Sequence, residues 1–249
     1  MKKPLFSCVI PVKGERPFFG EAIASLKVQG LGDALEIIIQ DADIEPDEGQ
    51  SDALNKGFAK ARGKWLFWLN ADDVLLPGAL KKVLDRINRI DRIDWIAGDT
   101  VYIDEQGKVI EVRTDAKWRP WFGKKLSVWT GGPSAFFRRE LWEKRGGFDV
   151  GLKYTMDIDL WTRWAKAGER FVGLGDYVWG FRIHDESKTG SGRFAAEQAA
   201  EIKVIDEKYS VSTMGFWRNM SRVASVLDGS WAKRRRDTSR MHGMRVWEL

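Results

Sequence analysis

The 249-residue sequence predicts an α/β fold in which a mostly parallel sheet is flanked by helices. Two observations predict it. Strand-like apolar runs alternate with helical periods over residues 5–99, and polar clusters follow the second and third of these runs. This alternation indicates parallel strands joined by right-handed crossovers. Because ligands collect at the carboxyl ends of such strands, the polar clusters predict a binding site there.

The first half of the chain supplies the parallel strands. Short apolar runs predict buried strands at residues 5–11, 35–39, 64–69 and 94–99. Helical periods lie between them, over roughly 18–29, 51–61 and 77–90. Gly63 follows the second helix, and Pro77 stands where a first-turn proline belongs.

The second half predicts a smaller antiparallel element. Residues 100–113 alternate apolar and polar side chains around the turn EQGK, which is typical of a hairpin. Further elements follow in order: a strand at PSAFFRR, a short helix at ELWEK, a helix over 156–168, short strands at RFVGL and YVWGFRIH, and a helix over about 193–208. We therefore predict one domain at 1–209 and a basic, tryptophan-containing helical appendage at 210–249.

Composition narrows the class of protein. The apolar fraction of 43% and the charged fraction of 31% are ordinary for a globular protein. A single cysteine, Cys8, excludes a disulfide framework and a cysteine metal site. The N-terminal residues have neither the long apolar run nor the cleavage site of a signal peptide, and no run is long enough to cross a bilayer. These features predict a cytoplasmic protein.

The net charge of +5 is confined to the predicted appendage. Residues 210–249 hold eight basic and three acidic side chains, whereas residues 1–209 are neutral. A neutral body argues against a nucleic-acid partner. The run KRRR, close to tryptophans and aliphatic side chains, favours peripheral contact with the inner face of a membrane. A solvated tail or a dimer contact is the alternative.

The 13 tryptophans are far more than a chain of this length usually carries. We expect most of them in the core, where aromatic side chains bury a large apolar area. Trp118, Trp121 and Trp129 fall in the loop predicted at 114–131 and are candidates for a platform under a sugar ring.

The pair Asp72 and Asp73 carries the strongest chemical signal. It follows the third strand, and hard divalent cations take one or two carboxylates from protein and their other ligands from phosphate and water. As turn or capping residues before Pro77, the same pair would have no chemical role. Asp41 and Asp43 follow the second strand and are open to two interpretations, contact with a nucleobase or a turn.

Two further positions complete the candidate site. Asp157 and Asp159 open a helix but point in different directions, and Arg163 is a natural partner of Asp159. Asp157 is then the freer carboxylate and the better general base. His184 ends an apolar strand, where it is either structural or part of a loop that meets metal or phosphate.

Together these features resemble the family-2 inverting glycosyltransferases of the GT-A (Rossmann-like) fold, and within them the bacterial polysaccharide type. The resemblance covers residues 5–208. It rests on five motifs in the family's order: CVIPVKGE, EPDEGQSDALNKGFAKARGKWLFWLNADD, GGPSAFFRRELWEKRGGFD, YTMDIDLWTRWAKAG and FRIHDESKT.

The resemblance implies a role for each matching residue. Asp157 would deprotonate the acceptor hydroxyl, and Asp73 with His184 would hold Mn²⁺ or Mg²⁺. Asp72 would contact ribose or sugar, and Asp41 would read the base. The other residues implied in donor binding are Pro11, Val12, Glu15, Asp52, Asn55, Lys56, Asn70 and Lys188.

The chain departs from the family in three motifs. It has QDADIE where an aspartate-rich segment is common, Met156 before the predicted base where glutamate is common, and Asn70 in a less acidic metal motif. The implied activity is transfer of a sugar from a UDP, GDP or dTDP donor to a saccharide or lipid-linked acceptor, in cell-surface polysaccharide or glycolipid synthesis. The alternatives are a sugar-binding protein without turnover and a sugar nucleotidyltransferase. The latter is disfavoured because PVKGERPFFG has no glycine-rich phosphate loop.

Overall fold

A computed structural model describes residues 3–114, 130–185, 194–211, 226 and 229–249. The strands are β1 (Phe6–Val12), β2 (Leu35–Asp41), β3 (Trp65–Trp68), β4 (Val74–Leu75), β5 (Trp95–Ile103), β6 (Val109–Arg113), β7 (Ala135–Arg138) and β8 (Phe171–Arg182). The helices are α1 (Phe19–Lys27), α2 (Gln50–Lys60), α3 (Ala79–Asn88), α4 (Arg139–Arg145), α5 (Met156–Lys166), α6 (Ala195–Tyr209) and α7 (Ser230–Met241). Among these described ranges, no helix is both long enough and apolar enough to span a bilayer.

One mixed sheet runs through the molecule in the order β2-β1-β3-β7-β5-β8-β4, with β6 paired to β5. Strands β2, β1 and β3 are mutually parallel, and so are β5 and β8. Strand β7 lies antiparallel between β3 and β5. At the far side of the sheet, β4 pairs antiparallel with β8, and β6 pairs antiparallel with β5. The predicted α/β fold with a mostly parallel sheet is confirmed, but the fourth predicted strand does not lie next to the third, because β7 separates them.

The two short strands predicted at RFVGL and YVWGFRIH are a single strand, β8. The glycines between them mark a bulge. The pairing of β5 with β8 shifts register between Ala97 and Thr100, and Gly175 adopts a φ of +77°. An extra residue in one strand and a glycine in the left-handed region are what such a bulge requires.

The sheet is covered on both faces, as the alternation along β1 shows. Val9 packs into a cluster with α2, α4, α5 and α6, whereas Cys8 and Ile10 pack on the opposite face with α1 and α3. Most of the described tryptophans are buried, as predicted. Trp161 of α5 stacks on Trp68 at 5.9 Å and on Trp95 at 5.0 Å between ring centroids. Trp118, Trp121 and Trp129 lie outside the described residues.

The described end of the chain packs against the sheet. Met241 and Val246 join Val101 and Ile103 in a third apolar cluster, and the backbone N–H of Val112 donates to Thr238 Oγ1 at 3.2 Å. A helix within residues 210–249 was predicted, but its packing against the sheet was not, because this segment is largely polar and its apolar contacts are few. The boundary at residue 210 between a domain and an appendage stays a prediction.

Candidate active site

A cleft of about 730 Å³ opens at the carboxyl ends of the parallel strands. Its walls come from the loop after β1, the start of α2, the end of β3, residues 130–133, the start of α5 and the residues after β8. Strand ends that lie side by side in the sheet bring these distant segments together. The location is the one that the polar clusters of the sequence predict for this class of sheet.

Asp72 and His184 form the polar centre of one wall. His184 Nε2 lies 2.9 Å from Asp72 Oδ2, and the two side chains are 14% and 34% exposed. The ring of Phe18 packs on the imidazole at 5.6 Å between centroids. No group of three or more ligating side chains occurs among the described residues. The pair nevertheless suits a hard cation that takes one or two protein ligands and completes its shell with phosphate and water.

Asp73 occupies a different environment from its neighbour. Its side chain is fully buried and accepts hydrogen bonds from the backbone N–H of Arg182 at 2.9 Å and from Asn70 Nδ2 at 2.8 Å. Burial, and then the nearby charge of Asp72, raises the pKa of this carboxyl. Asp73 therefore ties the turn after β3 to the end of β8. The metal role predicted for it stays a prediction that these contacts do not favour.

Arg182 is a residue whose part the sequence analysis missed. Its guanidinium is buried and donates to the carbonyl of Asp72 at 2.8 Å, to the carbonyl of Glu105 at 2.8 Å and to Glu21 Oε2 at 2.7 Å. It also lies over the ring of Phe18, 4.4 Å from the centroid. The available signal was an arginine at the end of the apolar strand YVWGFR. Arg182 holds the backbone that presents Asp72 to the cleft.

Asp157 faces the cleft from the first turn of α5. Its Oδ1 accepts a hydrogen bond from the backbone N–H of Ile158 at 2.9 Å. Burial raises the pKa of this carboxyl to about 6, because the loss of water outweighs the backbone hydrogen bonds and the charge of Arg113. A carboxylate with a pKa near neutral pH is suited to accept a proton from a substrate.

The turn beside Asp157 requires glycine. A Cβ on Gly132 would lie 2.3 Å from Trp68 and 3.2 Å from Asp157 Oδ2, and one on Gly131 would lie 2.5 Å from Trp179. Larger residues would push into the indoles or displace the carboxylate. The segment GGP therefore keeps the cleft wall thin next to the candidate base.

Asp159 points away from the cleft. It is almost completely buried and accepts hydrogen bonds from Lys208 Nζ at 2.9 Å and Tyr209 Oη at 2.8 Å. Arg163 Nε lies 3.7 Å from its other oxygen. The ion pair that the sequence predicts between Arg163 and Asp159 is present, and Asp157 is the carboxylate left facing the cleft.

A glutamate on α6 holds the segment that leads into α5. The Glu201 carboxylate accepts hydrogen bonds from the backbone N–H groups of Lys153, Tyr154 and Thr155 and from Thr155 Oγ1, at 2.8–3.0 Å. Lys153, Tyr154 and Thr155 line the cleft immediately before Asp157. No pattern in the sequence links Glu201 to this segment, because the two lie on separate elements.

Of the residues predicted to bind the donor, the structure brings Pro11, Val12, Glu15, Asn70 and Asp72 into the cleft lining. Asp41 lies one contact behind it. Arg16, which does line the cleft, donates to Asp41 Oδ1 at 2.9 Å and to Asp43 Oδ2 at 3.0 Å. Gln50 is a further lining residue that the sequence analysis missed, and its Nε2 donates to Asn70 at 2.8 Å.

Three other predicted donor residues are not among those that line the cleft. Lys56 Nζ pairs with Asp52 at 2.8 Å and donates to the carbonyl of Pro46 at 2.8 Å. Asn55 bonds both the N–H and the carbonyl of Phe148, at 2.8 and 2.9 Å. These contacts stabilise loops, and the donor-binding role of the three residues stays a prediction. Lys188 lies outside the described residues.

Sequence comparisons point to one family. The model of glycosyl transferase family 2 matches residues 44–142. The chain is 23% identical to an uncharacterized glycosyltransferase of Rickettsia typhi, over 90% of this chain and 75% of that protein. It is 25% identical to an uncharacterized glycosyltransferase of Methanocaldococcus jannaschii (88% and 86%) and 25% identical to a PGL/p-HBAD biosynthesis glycosyltransferase of Mycobacterium tuberculosis (64% and 69%).

Solved structures share the GT-A fold. Staphylococcus aureus TarS 1–349 in complex with UDP-GlcNAc aligns with a TM-score of 0.60 at 17% identity, over 75% of this chain and 60% of that chain. A mannosyltransferase from Pyrobaculum calidifontis in complex with GDP-Man and Mn²⁺ aligns with a TM-score of 0.58 at 17% identity, over 83% and 64%. The chain thus spans about three fifths of the length of these solved structures.

Proposed function

We propose that this chain, which is similar to family-2 glycosyltransferases, moves a sugar from a nucleotide-diphosphate donor to an acceptor hydroxyl with inversion at the anomeric carbon. One observation carries the proposal. A single cleft holds the Asp72–His184 pair on one wall and the Asp157 carboxylate, with its raised pKa of about 6, on another. The two chemical tasks of such a transfer, activation of the nucleophile and departure of a diphosphate, need two such groups.

Asp157 is the proposed general base. Its carboxylate accepts the proton of the acceptor hydroxyl while the hydroxyl oxygen bonds to the anomeric carbon. The bond from that carbon to the diphosphate oxygen breaks, and its electron pair stays on the departing nucleoside diphosphate. Attack from the side opposite the leaving group inverts the configuration. Since the base must be ionised, turnover is expected to rise with pH through about 6.

Asp72 and His184 are the residues that we propose to hold Mn²⁺ or Mg²⁺. When bound, the cation neutralises charge on the diphosphate. Support comes from their separation of 2.9 Å and their partial exposure, and from the Mn²⁺ and GDP-Man in the mannosyltransferase of the same fold. This proposal moves the metal role predicted for Asp73 to Asp72, because Asp73 is buried and already bonded to Asn70 and Arg182.

The donor side of the cleft is proposed to run along the loop after β1. Pro11, Val12 and Glu15 line it together with Arg16, which Asp41 and Asp43 hold in place. Recognition of the nucleobase by Asp41 would therefore act through Arg16 or require Arg16 to move. The complexes of similar structures with UDP-GlcNAc and GDP-Man support a nucleotide-sugar donor and leave UDP, GDP and dTDP as candidates.

The acceptor is proposed to be a saccharide or a lipid-linked saccharide in cell-surface polysaccharide or glycolipid synthesis. The mycobacterial relative named for PGL/p-HBAD biosynthesis supports a glycolipid. We propose a cytoplasmic location with peripheral contact to the inner face of the membrane.

Release of nucleoside diphosphate tests the function. The full chain with Mn²⁺ is screened against UDP-, GDP- and dTDP-sugars, first by thermal shift and then by nucleotide release with and without EDTA. We expect one donor class to bind and to be turned over, and Asp157→Asn to abolish most of that turnover. Asp85→Asn, at an exposed position of α3, is the matched control and should behave as wild type. Absence of binding by every donor would overturn the proposal.

A further inference from the structure

Helix α7 is fixed to the sheet through one face. Lys233 Nζ donates to Asp99 Oδ2 at 2.7 Å and lies 4.2 Å from the centroid of the Tyr177 ring. Tyr177 Oη donates to Asp237 Oδ2 at 2.9 Å. Met241 completes this face and is 4% exposed. Because Lys233, Asp237 and Met241 are spaced by four residues, they share one side of the helix, and the side chains between them point elsewhere.

The opposite face of α7 is basic and aromatic. Trp231, Arg235 and Arg236 point outward, with Arg234 and Arg240 on the two borders. Trp231 is 49% exposed, and the guanidinium of Arg235 lies over its ring at 4.9 Å from the centroid. Within the described part of the chain, the carboxylates nearest to this face are Glu111, 3.4 Å from Arg234, and Asp237, 3.5 Å from Arg236.

This face concentrates most of the positive charge that sets the end of the chain apart. Residues 1–209 are neutral, so the arginines of α7 give this part of the surface an excess of positive charge. Trp247, 39% exposed, follows the helix in the sequence. Arginines bind phosphate groups, and half-exposed indoles prefer the boundary between water and hydrocarbon.

We propose that the outer face of α7 is a docking surface for an anionic phospholipid bilayer. Arg234, Arg235, Arg236 and Arg240 would meet lipid phosphates, and Trp231 would enter the headgroup layer. Exposed tryptophans among the arginines favour a lipid surface over a nucleic acid, because duplex backbones present charge without an apolar layer. The proposed membrane contact would thus be made by the outer face of α7.

The position of α7 relates this surface to the cleft. Thr114 Oγ1 donates to the carbonyl of Ser230 at 3.3 Å, and Val112 bonds Thr238. Arg113, between those two residues on β6, lines the cleft. A bilayer bound at α7 would therefore lie near the cleft edge and could present a membrane-borne acceptor. This last step rests on the proposed transferase function, whereas bilayer binding does not.

Vesicle co-sedimentation of the full chain tests the proposal without any donor. We expect binding to vesicles of phosphatidylcholine with phosphatidylglycerol, weak binding to phosphatidylcholine alone, and loss of binding at high salt. The triple variant Arg235→Glu, Arg236→Glu, Arg240→Glu should reduce partitioning by on the order of a hundredfold. Trp231→Ala should also reduce partitioning at low salt, because it removes the apolar contribution of the indole.

A matched triple variant controls for net charge. Lys81→Glu, Arg89→Glu and Arg92→Glu reverse the same number of exposed charges on and after α3 and should leave vesicle binding unchanged. Equal loss in both triple variants, equal binding to neutral vesicles, or binding to RNA in preference to anionic vesicles would overturn the proposal. Donor hydrolysis, measured in parallel without vesicles, should be the same in all these variants. Absence of donor hydrolysis in the wild-type chain would overturn the proposed function but would not bear on the proposed docking surface.

Discussion

Asp157 and Asp159 show how two residues on one helical turn acquire different chemistry. Asp159 is held by Lys208, Tyr209 and Arg163, so its charge is compensated inside the protein. Asp157 faces the cleft with backbone hydrogen bonds and a pKa raised to about 6. A group whose folded pKa is raised favours folding while protonated, and this contribution is lost as the pH rises through the folded pKa.

Removing the raised-pKa carboxyl of Asp157 should therefore stabilise the folded state at high pH. Asp157→Asn should lower turnover on the order of 10²- to 10⁴-fold, yet raise the free energy of unfolding at pH 8 by up to about 2 kcal/mol. The gain should vanish below about pH 4, where the wild-type carboxyl is protonated in both states. Urea unfolding at several pH values measures it. Asp159→Asn is the control and should destabilise at pH 8. A loss of stability in both variants would contradict the environment described for Asp157.

The second prediction separates the adjacent aspartates at the end of β3. Asp72→Ala should keep near wild-type stability and lose Mn²⁺-dependent donor binding, because its side chain is one third exposed and meets His184. Asp73→Ala should lower the free energy of unfolding by about 1–3 kcal/mol, because it leaves the Arg182 N–H and the Asn70 amide without their acceptor. Thermal melts with and without Mn²⁺ and donor distinguish the two. Loss of stability in Asp72→Ala alone would reverse our assignment.

For the residues of the candidate site, the sequence predicted their location in the fold better than the role of each side chain. Strand ends in a parallel sheet share an edge, so Asp72 and His184 could be expected near one another, whereas Asp157, at the start of a helix, was assigned to the same site through the family resemblance. Which of two adjacent aspartates faces solvent depends on the turn that connects β3 to β4 and on its contact with β8. That contact joins residues more than a hundred positions apart. No local pattern encodes it.

At the scale of elements, α5 depends on α6 for its position. Glu201 accepts four hydrogen bonds from the residues just before α5, three of them from backbone N–H groups. A carboxylate at this end of a helix also complements the helix dipole. Glu201 is therefore a positioning residue for Asp157. The sequence predicted both helices with nearly correct bounds, but their pairing through one glutamate has no signature in helical periodicity.

The third prediction tests this clamp. Glu201→Gln should lower kcat roughly tenfold with a smaller change in KM, and it should shift the acidic limb of the pH–rate profile, because the first turn of α5 can then move. Glu197→Gln, four residues earlier at an exposed position of the same helix, is the control. A general loss of stability would lower the apparent kcat through the folded fraction, without lowering KM, and would leave the pH profile unmoved. An unshifted profile in Glu201→Gln would therefore show a structural role only.

At the scale of the whole molecule, the sheet has three partners: helices on each face, and the C-terminal segment beyond β6. The sequence predicted the two helical layers because amphipathic periods reveal them. It did not predict the third, because α7 attaches through Lys233, Asp237 and Thr238, polar residues that look solvent-exposed in a sequence. The strand at PSAFFRR, β7, was predicted, but its antiparallel position between β3 and β5 was not, since strand order in a sheet is set by tertiary packing.

The fourth prediction concerns how strongly the described end of the chain belongs to the fold. Lys233→Met should lower the free energy of unfolding by about 3 kcal/mol, because it removes the ion pair that Lys233 makes with the Asp99 carboxylate, which is 6% exposed. The exposed Arg235→Met should change it by less than about 0.5 kcal/mol. Denaturant unfolding followed by circular dichroism measures both. Equal midpoints would favour the appendage predicted for residues 210–249.

The stack of Trp68, Trp161 and Trp95 has an optical consequence. The ring centroid of Trp161 lies 5.9 Å from that of Trp68 and 5.0 Å from that of Trp95, at interplanar angles of 18° and 9°, so the electronic transitions of neighbouring indoles couple. Trp161 lies on α5, the helix that carries Asp157, while Trp68 and Trp95 belong to the sheet. The near-ultraviolet circular dichroism of this stack therefore reports on the distance between α5 and the sheet, in solution and without any added label.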